Sequence, residues 1–138
     1  MDDAKNPVAN GEKAEVVVVE DDPFISRMYE MKLAKAGYKI VMGVNGQEAV
    51  KLIAEHQPKL AMVDINMPEM SGLDAVEQLK SNGYDFSRTQ VVFLTNSNNP
   101  NDIDKAKALG ADYLIKADQT PRNVLELIQE KLGKSREA

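Results

Sequence analysis

The sequence has no cysteine, no tryptophan and a single histidine, and its aromatic residues amount to three phenylalanines and four tyrosines in 138 positions. Without cysteine there can be no disulfide framework, thiol nucleophile or thiolate metal site, and His56 alone cannot supply a multi-histidine cluster. Zinc enzymology is therefore disfavoured. No stretch comes near the roughly 20 consecutive apolar residues that a membrane-spanning helix needs. The opening Met1 to Lys13 lacks the apolar core behind basic residues that marks a signal peptide. Positive charge is also in deficit, with 17 Lys and Arg against 22 Asp and Glu for a net charge of -5, which argues against sequence-independent binding to a nucleic-acid backbone. These absences predict a cytoplasmic protein that works through other proteins, without direct contact with nucleic acid or membrane. What is present, 43% hydrophobic and 28% charged residues at this length, describes one globular domain.

Along the chain, residues 1–13 are polar and without period, which predicts a loose tail, and a second short tail is expected over 134–138. Between them, apolar runs alternate with helical patterns. Val16-Val17-Val18-Val19 reads as a strand buried on both faces, and Asp22-Pro23 then caps a helix carrying Ile25, Met28, Tyr29, Leu33 and Ala36. Tyr38 to Met42 predicts a second strand, and Asn45-Gly46 opens a helix with Ala49, Val50, Ile53 and Ala54 on one face. Leu60 to Val63 is the third strand, followed by a helix that starts at Ser71 and Asp74 and carries Leu73, Val76 and Leu79. Ser81 to Arg88 has turn chemistry and no period. Val91 to Leu94 is the fourth strand, Asn99-Pro100 caps a helix with Ile103, Ala106 and Leu109, Tyr113 to Ile115 is the fifth strand, and Thr120-Pro121 caps the last helix. Strict alternation of buried strands with amphipathic helices predicts an α/β fold, a parallel sheet with helices on both faces in three layers.

In an open doubly wound sheet, ligands bind beyond the carboxyl ends of the strands. The residues found there are Glu20, Asp21 and Asp22 after the first strand, Asp64 and Asn66 after the third, Thr95 after the fourth and Lys116 after the fifth. Carboxylates gathered at one point either shift their pKa values upward or recruit a cation, and oxygen ligands without imidazole or thiolate favour Mg2+. A cation, a hydroxyl and a lysine together form a receptor for a tetrahedral oxyanion. A central carboxylate could itself take a phosphoryl group, and Asp64 is the candidate.

Four segments, VVVVEDDP at 16–23, MVDINMPEMSG at 62–72, VVFLTNS at 91–97 and GADYLIK at 110–116, together resemble a receiver domain of two-component response regulators of the chemotaxis-receiver kind, over about residues 14–133. The resemblance implies a doubly wound (βα)5 domain with the flavodoxin-like strand order 2-1-3-4-5. It implies Asp64 as phosphoacceptor and an Mg2+ held by Asp21 directly, by Glu20 mainly through water, by Asp64 and by the Asn66 backbone carbonyl. It further implies Thr95 as the switch hydroxyl, Lys116 as the ammonium that pairs with the acyl phosphate, and Tyr113 as the aromatic that rotates as Thr95 moves. The implied partners are a histidine kinase or histidine phosphotransfer protein and a downstream protein bound by the face of helix 4, strand 5 and helix 5. The reading is a stand-alone switch that acts on itself rather than an enzyme with external substrates, monomeric or dimerising on phosphorylation.

Plainer explanations exist for single residues. Asp22 serves equally as a helix cap, Tyr113 as core packing, His56 as a solvated side chain favoured by the helix dipole, and the methionines as core or loop gap fillers. Two rival functions are a pseudo-receiver that docks proteins without being phosphorylated and an Mg2+-dependent phosphohydrolase. The second would need an acid two residues beyond Asp64, and Asn66 stands there. The chain departs from the receiver pattern at Ala117, where a proline preceded by a cis bond is usual, and at Asn96, where a small residue is usual. Asn96 is expected to narrow access to the phosphoryl group. Asn96→Ala should therefore speed autophosphorylation from acetyl phosphate or decay of the adduct, and unchanged rates in both assays would dispose of this.

Overall fold

Val16–Val19, β1, are 0% exposed at all four positions, as a β-branched run between two helical layers must be. The structure, a computed structural model, describes residues 12–96 and 99–133. After β1 come α1 (Pro23–Lys35), β2 (Ile40–Gly43), α2 (Gly46–His56), β3 (Leu60–Asp64), α3 (Gly72–Ser81), β4 (Gln90–Thr95), α4 (Pro100–Ala108), β5 (Asp112–Ile115) and α5 (Pro121–Leu132). The strands are parallel in the order β2-β1-β3-β4-β5, the doubly wound arrangement that alternation and resemblance predict together.

Alternate strand residues feed two cores. Val17, Val19, Ala61, Val63, Val91 and Phe93 meet α2, α3 and α4 on one face of the sheet. Val16, Val18, Leu60, Met62, Val92 and Leu94 meet Tyr29 and Leu33 of α1 and Val124 and Ile128 of α5 on the other. Each helix starts where its cap residue predicts. The Asp22 carboxylate accepts from the Phe24 and Ile25 N–H groups, Asn45 from Glu48, Ser71 from Asp74 and Asn99 from Asn101, while Thr120 and Asn123 bond each other's backbone reciprocally.

Several boundaries differ from the sequence expectation. β2 begins at Ile40 because the Tyr38 N–H donates to the Leu33 carbonyl at 3.2 Å, closing α1 instead of joining the ladder. Between Ser81 and Arg88 lies one 3-10 turn, Phe86–Arg88, capped by Asp85. Met28, expected on the inner face of α1, is exposed, and with Phe24 at 74% and Met31 at 58% it forms an apolar outer stripe. Met28 and Met31 are thus surface residues rather than gap fillers. His56 is not simply solvated: its Nδ1 accepts the Ala14 N–H at 2.9 Å, tying the entry to β1 onto the end of α2. The tails read over 1–13 and 134–138 lie outside the described residues except for Glu12, paired with Lys39 at 3.2 Å, and Lys13, whose ammonium donates to the Glu55 carbonyl at 2.7 Å.

Two glycines set the approach of α2 and α3 to the loop after β3. A Cβ on Gly72 would lie 2.4 Å from the Asp64 carbonyl oxygen and 2.8 Å from Val63 Cγ1, and one on Gly46 would lie 2.6 Å from Met70. Backbone cannot yield at such distances as a flexible side-chain tip can. Gly72→Ala should therefore cost about 1–3 kcal/mol, the usual range for overpacking, read as a lowered urea midpoint. A midpoint equal to wild type would mean that α3 can step back from Asp64 freely.

Candidate functional site

Parallel pairing puts the carboxyl ends of β1, β3, β4 and β5 side by side, with Asp64 in register with Leu94 and Thr95 with Ile115. The Glu20 N–H extends the ladder by bonding the Gly43 carbonyl at 3.0 Å, which carries its side chain to the same edge. Glu20 and Asp64 are both 0% exposed. Between them lies the Lys116 ammonium, 3.0 and 3.2 Å from the two Glu20 oxygens and 3.2 Å from Asp64 Oδ2. Backbone donors add to these contacts: Asp22 N–H donates to Glu20 Oε2 at 3.1 Å and Asn66 N–H to Asp64 Oδ1 at 3.0 Å. Lys116 opens a 3-10 turn, Lys116–Asp118, and no cis peptide occurs among the described residues, so the lysine reaches the acids without the proline geometry absent from this chain.

The electrostatics follow from burial. Removal of Asp64 from water first, and the Glu20 charge second, push its pKa up to about 7 against the opposing pull of Lys116 and the Asn66 N–H. Burial alone would weaken the Lys116 ammonium, but its bond to Glu20 and the charges of Asp64 and Glu20 outweigh that and raise its pKa. Tyr29, on α1, is raised by burial first and by the Glu20 charge second, so its phenol senses this pocket.

Asp21 is exposed, and carboxylate oxygens of Glu20, Asp21 and Asp64 lie within 4.8 Å of one another. With Lys116 counted, the cluster carries two negative charges in excess when all groups are ionised, which is the charge of a divalent cation. Its donors are oxygens only. The residues present therefore fit a hard cation such as Mg2+.

Thr95 is fully buried, and its hydroxyl lies 3.4 Å from Asn66 Oδ1. Tyr113 is not at the acids; it is half-buried on β5 beside Phe93, against the α4 side of the sheet and two positions below the level of Thr95. The sequence reading missed two contributors: Gly72 behind Asp64, and the Asn66 side chain, whose oxygen accepts the Asn96 N–H at 2.8 Å. Only Gly72 left a signal, as the small residue after the helix cap Ser71. A separate cavity of about 370 Å3, lined in part by Gln57, Tyr84 and Arg88, sits at the opposite end of the sheet, where the Thr89 hydroxyl already bonds the Pro58 carbonyl and Tyr84.

A carboxyl whose pKa is raised by folding contributes stability that is fully present below its ordinary value of 3.8 and is lost as the pH rises through about 7. In the metal-free protein Asp64→Asn should accordingly raise the urea midpoint at pH 8 by up to about 4 kcal/mol in stability. The gain should be smaller at pH 5 and should narrow when Mg2+ is added at pH 8. A midpoint that falls at pH 8 would mean that the Lys116 bond, not burial, dominates at Asp64.

The profile of the response regulator receiver domain matches residues 16–129. The chain is 32% identical over 119 residues to the chemotaxis protein CheY of Bacillus subtilis, covering 86% of this chain and 97% of that protein. It is 30% identical over 119 residues to the polar-differentiation response regulator DivK of Brucella anthropi, covering 86% and 95%. Three further relatives are longer, and the chain spans 24 to 44% of their length. Among solved structures, the chemotaxis response regulator CheY4 of Vibrio cholerae superimposes with a TM-score of 0.75 at 28% identity over 86% of this chain and 98% of that one. Buried acids, an ammonium and a hydroxyl on one sheet edge thus coincide with a profile and relatives of one kind, and the chain belongs to the response regulator receiver domain family, the switch modules of two-component signal transduction.

Proposed function

We propose that this receiver accepts a phosphoryl group on Asp64 from a histidine kinase or histidine phosphotransfer protein and signals by changing the protein it binds. The observation that carries the reading is the buried contact of Lys116 with both Glu20 and Asp64, beside an exposed Asp21. Lone carboxylates at strand ends are common, whereas an ammonium held between two fully buried acids needs a reason.

In the proposed reaction an Asp64 oxygen attacks phosphorus, the bond from phosphorus to the donor imidazole breaks, and the imidazole leaves with its electron pair. Glu20, Asp21, Asp64 and the Asn66 backbone carbonyl would hold Mg2+, which when bound offsets the charge of the transferring group. Lys116 would shift from neutralising Asp64 to pairing with the acyl phosphate, and the Thr95 hydroxyl would supply a further donor. Phosphorylation adds about -1.5 to -2 charges at this point. The rearrangement would be relayed through Tyr113 to the surface of α4, β5 and α5, where a downstream protein binds. The chain would act as a switch that catalyses only its own phosphorylation and dephosphorylation.

Incubation with acetyl phosphate and Mg2+ should yield a single phosphoryl adduct by intact mass, absent without Mg2+ and absent in Asp64→Asn. Failure of the folded wild type both to form the adduct and to bind the beryllofluoride mimic would instead favour a docking module that works without phosphorylation.

A further inference from the structure

Asn66 uses its main chain and its side chain toward different neighbours. Its N–H holds Asp64 Oδ1 at 3.0 Å, while its side-chain oxygen accepts the Asn96 N–H at 2.8 Å and the Thr95 hydroxyl at 3.4 Å. A backbone N–H can only donate, so the atom facing Asn96 is the amide oxygen, and the orientation of the Asn66 side chain is fixed by its partner. One oxygen of partial negative charge therefore gathers two donors at the end of β4, in the strand next to Asp64. An oxyanion attached to Asp64 needs donors of this kind.

We propose that the Asn66 side chain is a built-in competitor of the phosphoryl group: its oxygen engages the Thr95 and Asn96 donors in the unmodified protein, and a phosphoryl oxygen on Asp64 must displace it to recruit them. The proposal rests on Asp64 being the phosphoacceptor. It adds a resident occupant to the hydroxyl end of the site and makes Asn66 a positioning residue, acting through Thr95 and the start of the loop after β4.

Chemistry favours the exchange. A phosphoryl oxygen is charged, and charge-assisted hydrogen bonds are roughly twice as strong as neutral ones. The released amide is not stranded, because Asn66 and Asn96 are both exposed and water replaces the lost partner. The competitor is thus weak enough to be expelled by phosphorylation, yet it engages the Thr95 hydroxyl and the Asn96 N–H before it. Such a contact sets what fraction of the unmodified protein has its donors ready, and so lowers apparent affinity for any phosphoryl-like ligand by that fraction.

The test follows the Asn96 amide in 1H-15N spectra of the full chain while Mg2+ and beryllofluoride are titrated into wild type, Asn66→Ala and Asn66→Asp. Dispersed spectra certify folding of each variant. In Asn66→Ala the Asn96 amide should move toward its position in the mimic-bound wild type and exchange faster with solvent, and mimic affinity should rise about three- to tenfold, the effect of one lost hydrogen bond. Asn66→Asp keeps an acceptor of the same shape, so its Asn96 amide should stay bonded. An Asn96 amide unmoved in Asn66→Ala, or mimic affinity unchanged or reduced there, overturns the competitor while leaving Asp64 as acceptor. Absence of mimic binding by the wild type as well would instead overturn the phosphoacceptor reading, and the competitor with it.

Discussion

Everything at this end of the molecule depends on one ammonium held between two carboxylates out of water. Lys116 and Glu20 are 96 residues apart in sequence, and only the parallel order that sets β1 beside β3 and β5 next to β4 brings them within 3.0 Å. Burial makes the contact consequential. In water such a pair is worth little, but with Glu20 and Asp64 fully covered the lysine is what keeps two adjacent acids tolerable. One ammonium does not cancel the cost, and the elevated pKa of Asp64 is the remainder. The folded chain therefore carries an electrostatic demand that a divalent cation would meet, with the exposed Asp21 in the same acidic cluster.

Around this contact the backbone is arranged so that few groups are left to chance. Asp22 caps α1 with its side chain and gives its N–H to Glu20, so the start of the helix and the orientation of a buried acid are fixed by one residue. Asn66 does the same for Asp64 and for the end of β4. The apparent alternative for Asp22, cap or site residue, dissolves: it is a cap, and through its N–H it also steadies the site.

Much of this was legible in the residues themselves. The buried strands announced themselves through unbroken apolar runs, wholly β-branched in β1, and the caps through Asp-Pro, Asn-Gly, Asn-Pro and Thr-Pro at the right distances. Glu20, Asp64, Thr95 and Lys116 were legible because a doubly wound sheet has one place where strand ends meet. What was not legible depends on partners remote in sequence. The direction of the Asn66 amide is set by an N–H 30 residues away, and Tyr38 leaves the strand pattern because α1 claims its N–H. The outward face of α1 misled because periodicity identifies an apolar stripe without saying which of two stripes is covered, and Met28 lies on the uncovered one.

The close approach at Gly72 and Gly46 has a mechanical meaning. Asp64 has backbone pressed against its carbonyl from the α3 side, and the loop beyond it is wedged against the start of α2, with no room for either to recoil. On the other side the Asp64 backbone is paired with β4, but its carboxylate meets a movable side chain, the Lys116 ammonium from the turn after β5, and the Asn66 amide that reaches the end of β4 can rotate at little cost. The pocket is stiff in one direction and compliant in the other. If Asp64 takes the phosphoryl group as proposed, the work done by the added charge would be spent on the compliant side, toward α4 and β5, with α2 and α3 as the anvil.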